Sequence, residues 1–587
     1  MMFKANRGIE SFKKLIERKC TYVDKSIFLK DIFGEAIYSS RCSSDISVFL
    51  FLRPRRFGKT LTLSMIEHFC KLDYENVGNQ DKARALFENL EIYKDKEFCN
   101  KHMAQYPVIS ISLKDVDRYD FYESLLVLGY KISKLFFNIQ QHEEFNSLPE
   151  RLKYTVEYFN HIDKVDIFTE KGLFDLKKYI NKSLKDLSQI LYLLYKRKVI
   201  VLIDEYDTPL LRATEYGYYD RMAEVIGGMY SAALKGNGEY LEKAVLCGCM
   251  RVFKPSINSG LNNLCYFEIH DESFNTFIGF TKDEVRTLIQ GTAIESYEDK
   301  ILDYYAAYSF RGAQMLCPFS VLNAMDDAFF SSDVNNFKCK NFWANTSGNE
   351  IIDRFFTLND AEGSEQLQQL VDGQSITIKS YKGITYDDIY PIDSFEDLMV
   401  LLMYTGYVTA LAKEHNCYRV AIPNKEALYC FKQRADIYFN ADNTSWYDKG
   451  LELKNALFDG DTVKAQNIIY SMFANYISPD GKNADGSFLL SVLSMFSTSN
   501  FLVLSGKETG KDYSDLSLLD RQLASCVIIQ TRKVLSDAKD NEIEEISQQA
   551  LAQIVENDYI SGARDCGFSI IKYGIVFFGK ACYIAKG

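Results

Sequence analysis

The sequence predicts an α/β protein whose first part is a parallel sheet built around a phosphate-binding loop, and three observations carry that prediction. An apolar run from Ile46 to Leu52 leads into Arg53-Pro54-Arg55-Arg56-Phe57-Gly58-Lys59-Thr60, after which Leu61, Met65, Ile66 and Phe69 recur at the spacing of one helix face. A second apolar run, Val199-Ile200-Val201-Leu202-Ile203, ends in Asp204-Glu205. A third run, Ala244 to Met250, ends at Arg251. Unbroken runs of this kind mark strands buried on both faces, as in parallel sheets covered by helices.

Gly58-Lys59-Thr60 matches the second half of the pattern G-x-x-x-x-G-K-[ST]. In that pattern backbone N–H groups and a helix N-terminus hold phosphate, the lysine reaches the β- and γ-phosphates, and the hydroxyl ligates Mg²⁺. Arg53 stands where the first glycine belongs, and Pro54, Arg55 and Arg56 make the loop stiffer and more basic. The expected ATP-binding groups are therefore Arg53, Arg55, Arg56, Phe57, Gly58, Lys59, Thr60 and Leu61. Thr60 and Asp204 are expected to hold Mg²⁺, Lys59 to act on the transferring phosphate, and Glu205 to orient and deprotonate the attacking water. A strand with a solvated acidic end would read the same way in isolation. The ordered combination of strand, G-K-T, helix and distant strand-Asp-Glu favours an ATPase.

The third run is expected between the other two strands, as in nucleotide-hydrolysing sheets of the additional-strand kind, with Cys247 at its tip. A thiol is a weak hydrogen-bonding partner for a γ-phosphate. Arg251 has two open readings: a catalytic group that stabilises transferring charge, or a surface or capping arginine.

Composition bounds the remainder. A chain of 587 residues exceeds one ordinary core and suggests several domains. Abundant Tyr (39) and Phe (41) with scarce Pro (9) argue against long disordered linkers. A net charge of −12 argues against an overall grip on nucleic acid but leaves room for a local basic groove. The 14 cysteines form no paired framework, which suggests reduced thiols and a cytoplasmic protein. Cys247 and Cys249 lack a second pair at zinc spacing and read as small buried residues. Met1 to Arg7 has no apolar core of a signal peptide. The uncharged stretch Ser487 to Leu504 carries five serines, a threonine and an asparagine, so a helix followed by a strand is expected there rather than a membrane span.

Along the chain, Tyr22-Val23-Asp24-Lys25 forms a polar corner after a short helix, and Pro107 to Leu113 alternates like a strand. A helical insertion at about 115–196 reads as a lid or docking surface. Pro209 opens a helix beyond the acidic strand. Residues 281–440 read as a helical lid followed by a small mixed region, where Leu401 to Ala410 and Tyr418 to Ile422 suggest a hairpin or winged-helix element.

These blocks, together with Ser256-Ile257-Asn258-Ser259-Gly260-Leu261-Asn262-Asn263-Leu264, Phe280-Thr281-Lys282-Asp283-Glu284-Val285, Trp343 to Asn349 and Tyr404 to Thr409, resemble the AAA-like ATPases that carry a C-terminal domain of the PD-(D/E)XK nuclease superfamily. The resemblance implies an ATPase domain at 1–280, a lid region at 281–440 and a nuclease-like domain at 445–587. It also accounts for Arg53, because that family has a polar residue before P-R-R-F-G-K. Cys247 departs from it, standing where the family usually has threonine. That loss bears on hydrolysis rather than on nucleotide binding.

A nuclease of that superfamily needs an aspartate ending one strand and E-x-K on its partner, so that two carboxylates hold Mg²⁺ and the lysine positions water. Asp515 fits the aspartate, while Gln530 and Arg532 stand in the places of the glutamate and lysine, with Glu508 and Gln553 nearby in the pattern. A neutral amide and a guanidinium make a poor metal and base site, so the domain is expected to be nuclease-like in fold and inactive. The partners implied are ATP, and a nucleic acid or protein engaged through the C-terminal domain; no membrane is expected, and no spacing rule decides oligomeric state.

Overall fold

Five apolar runs assemble into one parallel sheet: Val48–Leu52 (β1), Val108–Ser112 (β2), Val199–Asp204 (β3), Leu241–Gly248 (β4) and Leu264–Phe267 (β5), in the order β2-β3-β4-β1-β5. β1 and β3 are buried at every position, as strands covered on both faces must be. The computed structural model describes residues 8–35, 46–235, 237–252, 264–330, 337–343, 366–367, 369–379, 385, 394–414, 417–439, 443–476, 489, 492–493, 501–505, 516–534, 538–556, 567–578 and 581–587. The chain divides into two compact units, Met1–Asn345 with Ser364–Leu428, and Thr346–Gly363 with Tyr429–Gly587.

In the first unit the sheet is accompanied by Phe12–Glu17 (α1), Phe28–Phe33 (α2), Lys59–Cys70 (α3), Asp81–Phe87 (α4), Lys96–His102 (α5), Phe121–Phe136 (α6), Glu150–Asn160 (α7), Glu170–Tyr195 (α8), Thr208–Glu215 (α9) and Tyr219–Leu234 (α10). The stretch between β2 and β3 is the helical insertion α6, α7 and α8. Side-chain caps start two of its helices: Asp120 accepts from the Tyr122 and Glu123 amides, and Thr169 from that of Gly172. α8 runs for 26 residues and packs on α10, α6 and α7.

Two boundaries differ from the sequence reading. α3 stops at Cys70 rather than near Leu72, because Lys71 turns extended and the Leu72 amide donates to the Tyr106 carbonyl at 2.9 Å. β4 lies three residues earlier than its apolar run suggests. Its charged start is masked in the sequence: Lys243 is buried and reaches the Ile46 carbonyl at 2.6 Å. Its end comes at Gly248 because the Asp207 carboxylate takes the next two amides, those of Cys249 and Met250.

The polar corner ties distant segments together. Asp24 accepts from the amides of Ser26 (2.8 Å) and Glu91 (2.6 Å), the Tyr22 hydroxyl meets the Met65 sulfur at 3.3 Å, and Lys25 pairs with Glu284. Glu284 is itself part of a capping box with Thr281.

The rest of the first unit contains two small antiparallel sheets. Phe280–Thr281 (β6), Ala306–Phe310 (β7) and Ala313–Leu316 (β8) pair in the order β6-β8-β7 beside Lys282–Ile289 (α11), Glu298–Tyr305 (α12) and Pro318–Phe330 (α13). Ile376–Lys379 (β9) joins the hairpin of Thr409–Glu414 (β10) and Cys417–Ala421 (β11), which follows Phe395–Thr405 (α14).

Lys425–Phe439 (α15) leads into the second unit, which contains Asn443–Asp459 (α16), Thr462–Tyr476 (α17) and Asp540–Glu556 (α18). Its sheet takes the order β12-β13-β14-β15-β16, formed by Phe501–Ser505 (β12), Leu516–Asp520 (β13), Ser525–Val534 (β14), Ser569–Phe578 (β15) and Ala581–Lys586 (β16). Every neighbouring pair is antiparallel except β14 and β15, which α18 connects as a crossover. The alternation of β14 serves two layers: Val527 and Ile529 pack with Leu457 and Ile469, whereas Cys526 and Ile528 pack with Ile554 of α18.

Among the described residues no helix is long and apolar enough to cross a membrane. Within Ser487 to Leu504, residues 489 and 492–493 are helical and the strand β12 begins at Phe501, while the rest of that stretch lies outside the described residues.

Candidate functional site

The loop from Arg53 to Gly58 leaves the C-terminal end of β1, and the parallel register sets Leu52 beside Gly248 of β4 and Leu246 beside Ile203 of β3. Ligands of open α/β sheets bind at this edge. Gly58 caps α3 in the left-handed conformation (φ 94°) that glycine adopts without cost, so the helix starts directly at Lys59 and Thr60. The first turn of a 12-residue helix thus opens on the loop.

Lys59 is buried, with Nζ donating to the carbonyls of Arg53 and Pro54 at 3.0 Å each and lying 3.5 Å from the Cys249 sulfur. Burial pulls its ammonium down, but the facing Cys249, Glu205, Asp207 and Asp204 outweigh that and hold it above the ordinary lysine value. The Thr60 hydroxyl donates to Asp204 Oδ2 at 2.7 Å. The other oxygen, Asp204 Oδ1, is buried without a hydrogen-bond partner. Burial, reinforced by the charge of Glu205, pushes the Asp204 carboxyl above the usual range. A hard oxygen with no partner beside a threonine hydroxyl fits the coordination shell of Mg²⁺.

Glu205 follows in a left-handed conformation (φ 52°), partly exposed, and its Oε2 accepts from the Thr208 hydroxyl at 3.3 Å. Asp207, absent from the sequence reading of the site, is buried three residues past the end of β3. Its Oδ2 accepts from the Cys249 (2.8 Å) and Met250 (3.0 Å) amides, Oδ1 has no partner, and burial with Glu205 pushes its carboxyl up to about 6. The Tyr206 hydroxyl donates to the Met250 carbonyl at 2.8 Å, so β3 and β4 are stitched together at this edge. The available signal was the third acid of Asp204-Glu205-Tyr206-Asp207, standing before a proline-started helix.

The basic groups of the loop divide. Arg53 is fully buried and faces the fold: its guanidinium donates at 2.8 Å to the carbonyls of Leu52, Phe267 and Phe274, and burial pulls it down to about 10. Its side chain is therefore a strut between β1 and β5, and what it turns toward Lys59 is its carbonyl. Phe57 is likewise buried, against Tyr308 and Phe310 of β7. Arg55 and Leu61 are partly exposed, and Arg56 is exposed with its guanidinium 4.2 Å from the Phe319 ring. Arg251 is held by Glu268, Nε to Oε1 at 2.6 Å, with Tyr266 beneath it at 4.0 Å.

Of the two cysteines in β4 and its end, Cys249 rather than Cys247 meets Lys59; Cys247 is fully buried beside Phe51 of β1. Burial pushes the Cys249 thiol up to about 11. Among the described residues the cysteines are free thiols, and no group of three or more His, Cys, Asp and Glu side chains converges as a metal site.

In the second unit, Gln530 of β14 is fully buried opposite Gly574 of β15. Arg532, two residues on and on the same strand face, donates to Gln553 Oε1 of α18 and to the Thr531 carbonyl at 2.8 Å. Three residues of the expected nuclease-like site therefore occupy neighbouring parts of one sheet and its crossover helix. Glu508 and Asp515 lie outside the described residues.

The sheet order and the convergence of a lysine and hydroxyl from a helix start with a strand-end aspartate are those of a P-loop-like α/β core. Residues 6–258 match the model of the family described as "Predicted AAA-ATPase". A similar protein, "Uncharacterized protein in vnfD 5'region" of Azotobacter chroococcum mcd 1, is 23% identical over 317 residues. That alignment covers 54% of this chain and 50% of the relative, so the chain spans about half the length of the relative it matches.

Proposed function

We propose that the first unit binds ATP with Mg²⁺ and hydrolyses it. The supporting observation is the meeting of Lys59, Thr60 and Asp204 at one sheet edge, with Asp204 Oδ1 buried and unpartnered. Lys59 would take the β- and γ-phosphates in exchange for the loop carbonyls. Thr60 and Asp204 would hold Mg²⁺, which supplies charge neutralisation on those phosphates. Glu205, partly exposed at the end of β3, is assigned the proton from the attacking water. Asp207 keeps the β4 end in register with Lys59 through the Cys249 and Met250 amides. Arg251 needs no part in this scheme, since its Glu268 pair would have to open first. Phosphate release by the purified chain and by Lys59→Ala tests the assignment: equal rates in the two overturn it.

We further propose that nucleotide state is passed to a second unit that is nuclease-like and inactive. Gln530 offers a neutral amide where a metal site needs a carboxylate, and Arg532 is engaged by Gln553. A second reading, a nucleotide-gated binding module with negligible turnover, is favoured by one observation: the side chain of the β4 end that meets Lys59 is a thiol, a poor partner for transferring phosphate. Tight ATP binding without turnover selects that reading. Mg²⁺- or Mn²⁺-dependent cleavage of DNA or RNA, abolished by Asp515→Ala, would instead make the chain an ATP-dependent nuclease.

A further inference from the structure

The helical insertion carries an unusual surface for a protein of net charge −12. On α8, Lys171, Phe174, Lys178, Lys182 and Lys185 follow one another at intervals of three, four, four and three residues, which lines them up on one face. The opposite face is the buried one, with Leu176, Ile180, Leu184, Leu187 and Ile190. From Lys171 to Lys185 the stripe is about 21 Å long at the rise of an α-helix.

Three of its four lysines carry no ion pair: among the described residues no acidic side chain pairs with Lys171, Lys178 or Lys185. Lys182 does have a partner, Asp186 at 3.5 Å, but that carboxylate is itself buried and shared with Arg151 of α7, so it adds no exposed negative charge. The acids flanking the stripe on α8 are Glu170, exposed at its first position, and Asp175, half-exposed. The rings are equally out of place: Phe174 is 66% exposed and Phe168, just before the helix, 84% exposed. Neither is needed by the core, which α8 satisfies from its other face.

We infer that this face of α8 binds single-stranded nucleic acid. Lysines at one-helix-face spacing complement a run of phosphates, and the exposed ring of Phe174 among them, with that of Phe168 just before the helix, supplies a plane on which unpaired bases stack. The pairing of the two features selects the ligand. An acidic peptide would use the lysines and leave the rings in water, and a duplex would present phosphates while keeping its bases stacked on each other. None of its residues is a nucleotide-site residue and it owes nothing to the ATPase assignment, so either can fail alone.

The test uses the full chain and a fluorescein-labelled oligo-dT of about 20 nucleotides, long enough for one such site, read by fluorescence anisotropy across a salt series. Wild type is expected to bind at low salt, with log affinity falling against log salt at a slope of about −3 for four phosphate contacts. The triple variant Lys171→Glu, Lys178→Glu, Lys185→Glu should weaken binding by more than about tenfold and flatten that slope. Phe168→Ala with Phe174→Ala should weaken it by about tenfold and leave the slope unchanged. All five positions are on the surface, and an unaltered circular dichroism spectrum verifies folding of the variants. No binding by wild type, equal binding by wild type and the triple variant, or equally tight binding of a duplex or of polyglutamate would each overturn the inference.

Discussion

The Thr60 hydroxyl donates to Asp204 at 2.7 Å across 144 residues of sequence, and this bond joins the start of α3 to the end of β3. It leaves Asp204 half satisfied. One oxygen is bonded, the other is buried and bare, and burial drives the carboxyl toward its neutral form.

Stability and ligand binding should therefore respond to Asp204→Asn in opposite directions. The amide oxygen can still accept from Thr60, and removing a buried, half-satisfied charge should leave stability unchanged or raise it by about 1 kcal/mol. Mg²⁺-dependent binding of a fluorescent ATP analogue should fall by more than about tenfold, because a hard anionic ligand is lost. Urea unfolding and nucleotide titration with and without Mg²⁺ read the two effects. A destabilised variant with intact Mg²⁺ dependence would contradict the assignment.

Arg53→Gly restores the glycine of the usual phosphate-loop pattern, yet it should harm this protein. The carbonyls of Leu52, Phe267 and Phe274 would lose their common donor in a fully buried place. Buried acceptors left unsatisfied, with a cavity beside them, should cost about 3 to 5 kcal/mol. Arg53→Lys should recover only part of this, since one ammonium cannot reproduce a planar fork across three acceptors. Chemical denaturation of both variants measures the difference, and an Arg53→Gly protein as stable as wild type would refute the strut.

What the sequence disclosed and what it hid follow from the range of the interactions involved. β3 was readable because its six buried residues form one run that ends in the acid Asp204. β5 was not, because Leu264–Phe267 is four residues long and mostly half-buried, too short for periodicity to speak. The proposed site residues Lys59, Thr60, Asp204 and Glu205 were singled out by residue type and order, and the structure brings Thr60 and Asp204 together. The direction of Arg53 was not, because its acceptors Phe267 and Phe274 lie more than 200 residues away. The choice of Cys249 over Cys247 as the neighbour of Lys59 depended on where β4 ends, and that is decided by Asp207 across the strand gap.

Asp207 should give the protein a pH-dependent stability of unusual sign. Its carboxyl is at about 6 in the fold against a model-peptide value of 3.8, so between those pH values the folded chain binds more protons than the unfolded one. Its contribution is fully present below pH 3.8 and is lost as pH rises through about 6. The full span is about 3 kcal/mol at 1.36 kcal/mol per pH unit. Asp207→Asn keeps an acceptor for the Cys249 and Met250 amides and removes the titration, so its unfolding free energy between pH 4 and 6.5 should fall less steeply than that of wild type. Parallel curves would show that Asp207 does not titrate there.

In the second unit, the spacing between β15 and α18 is set by the absence of a side chain at Gly574. A Cβ built there would lie 2.2 Å from the Ser547 carbonyl oxygen and 3.3 Å from the Ala550 Cβ. The first of these is backbone and cannot rotate aside, so Gly574→Ala must push α18 off the sheet. The cost should be at least about 1 to 3 kcal/mol, as for overpacking elsewhere. Because Gly574 pairs with Gln530 and α18 carries Gln553, the same shift should break the Arg532–Gln553 hydrogen bond. Hydrogen exchange should then show faster exchange in α18 and β15 of the variant, with β1 and β3 of the first unit unchanged. Gly567→Ala meets no atom within 4 Å and differs only by its positive φ of 78°, so it should cost about 1 kcal/mol and leave α18 protected. Equal protection of α18 in the two variants would show that this helix does not rest on the glycine.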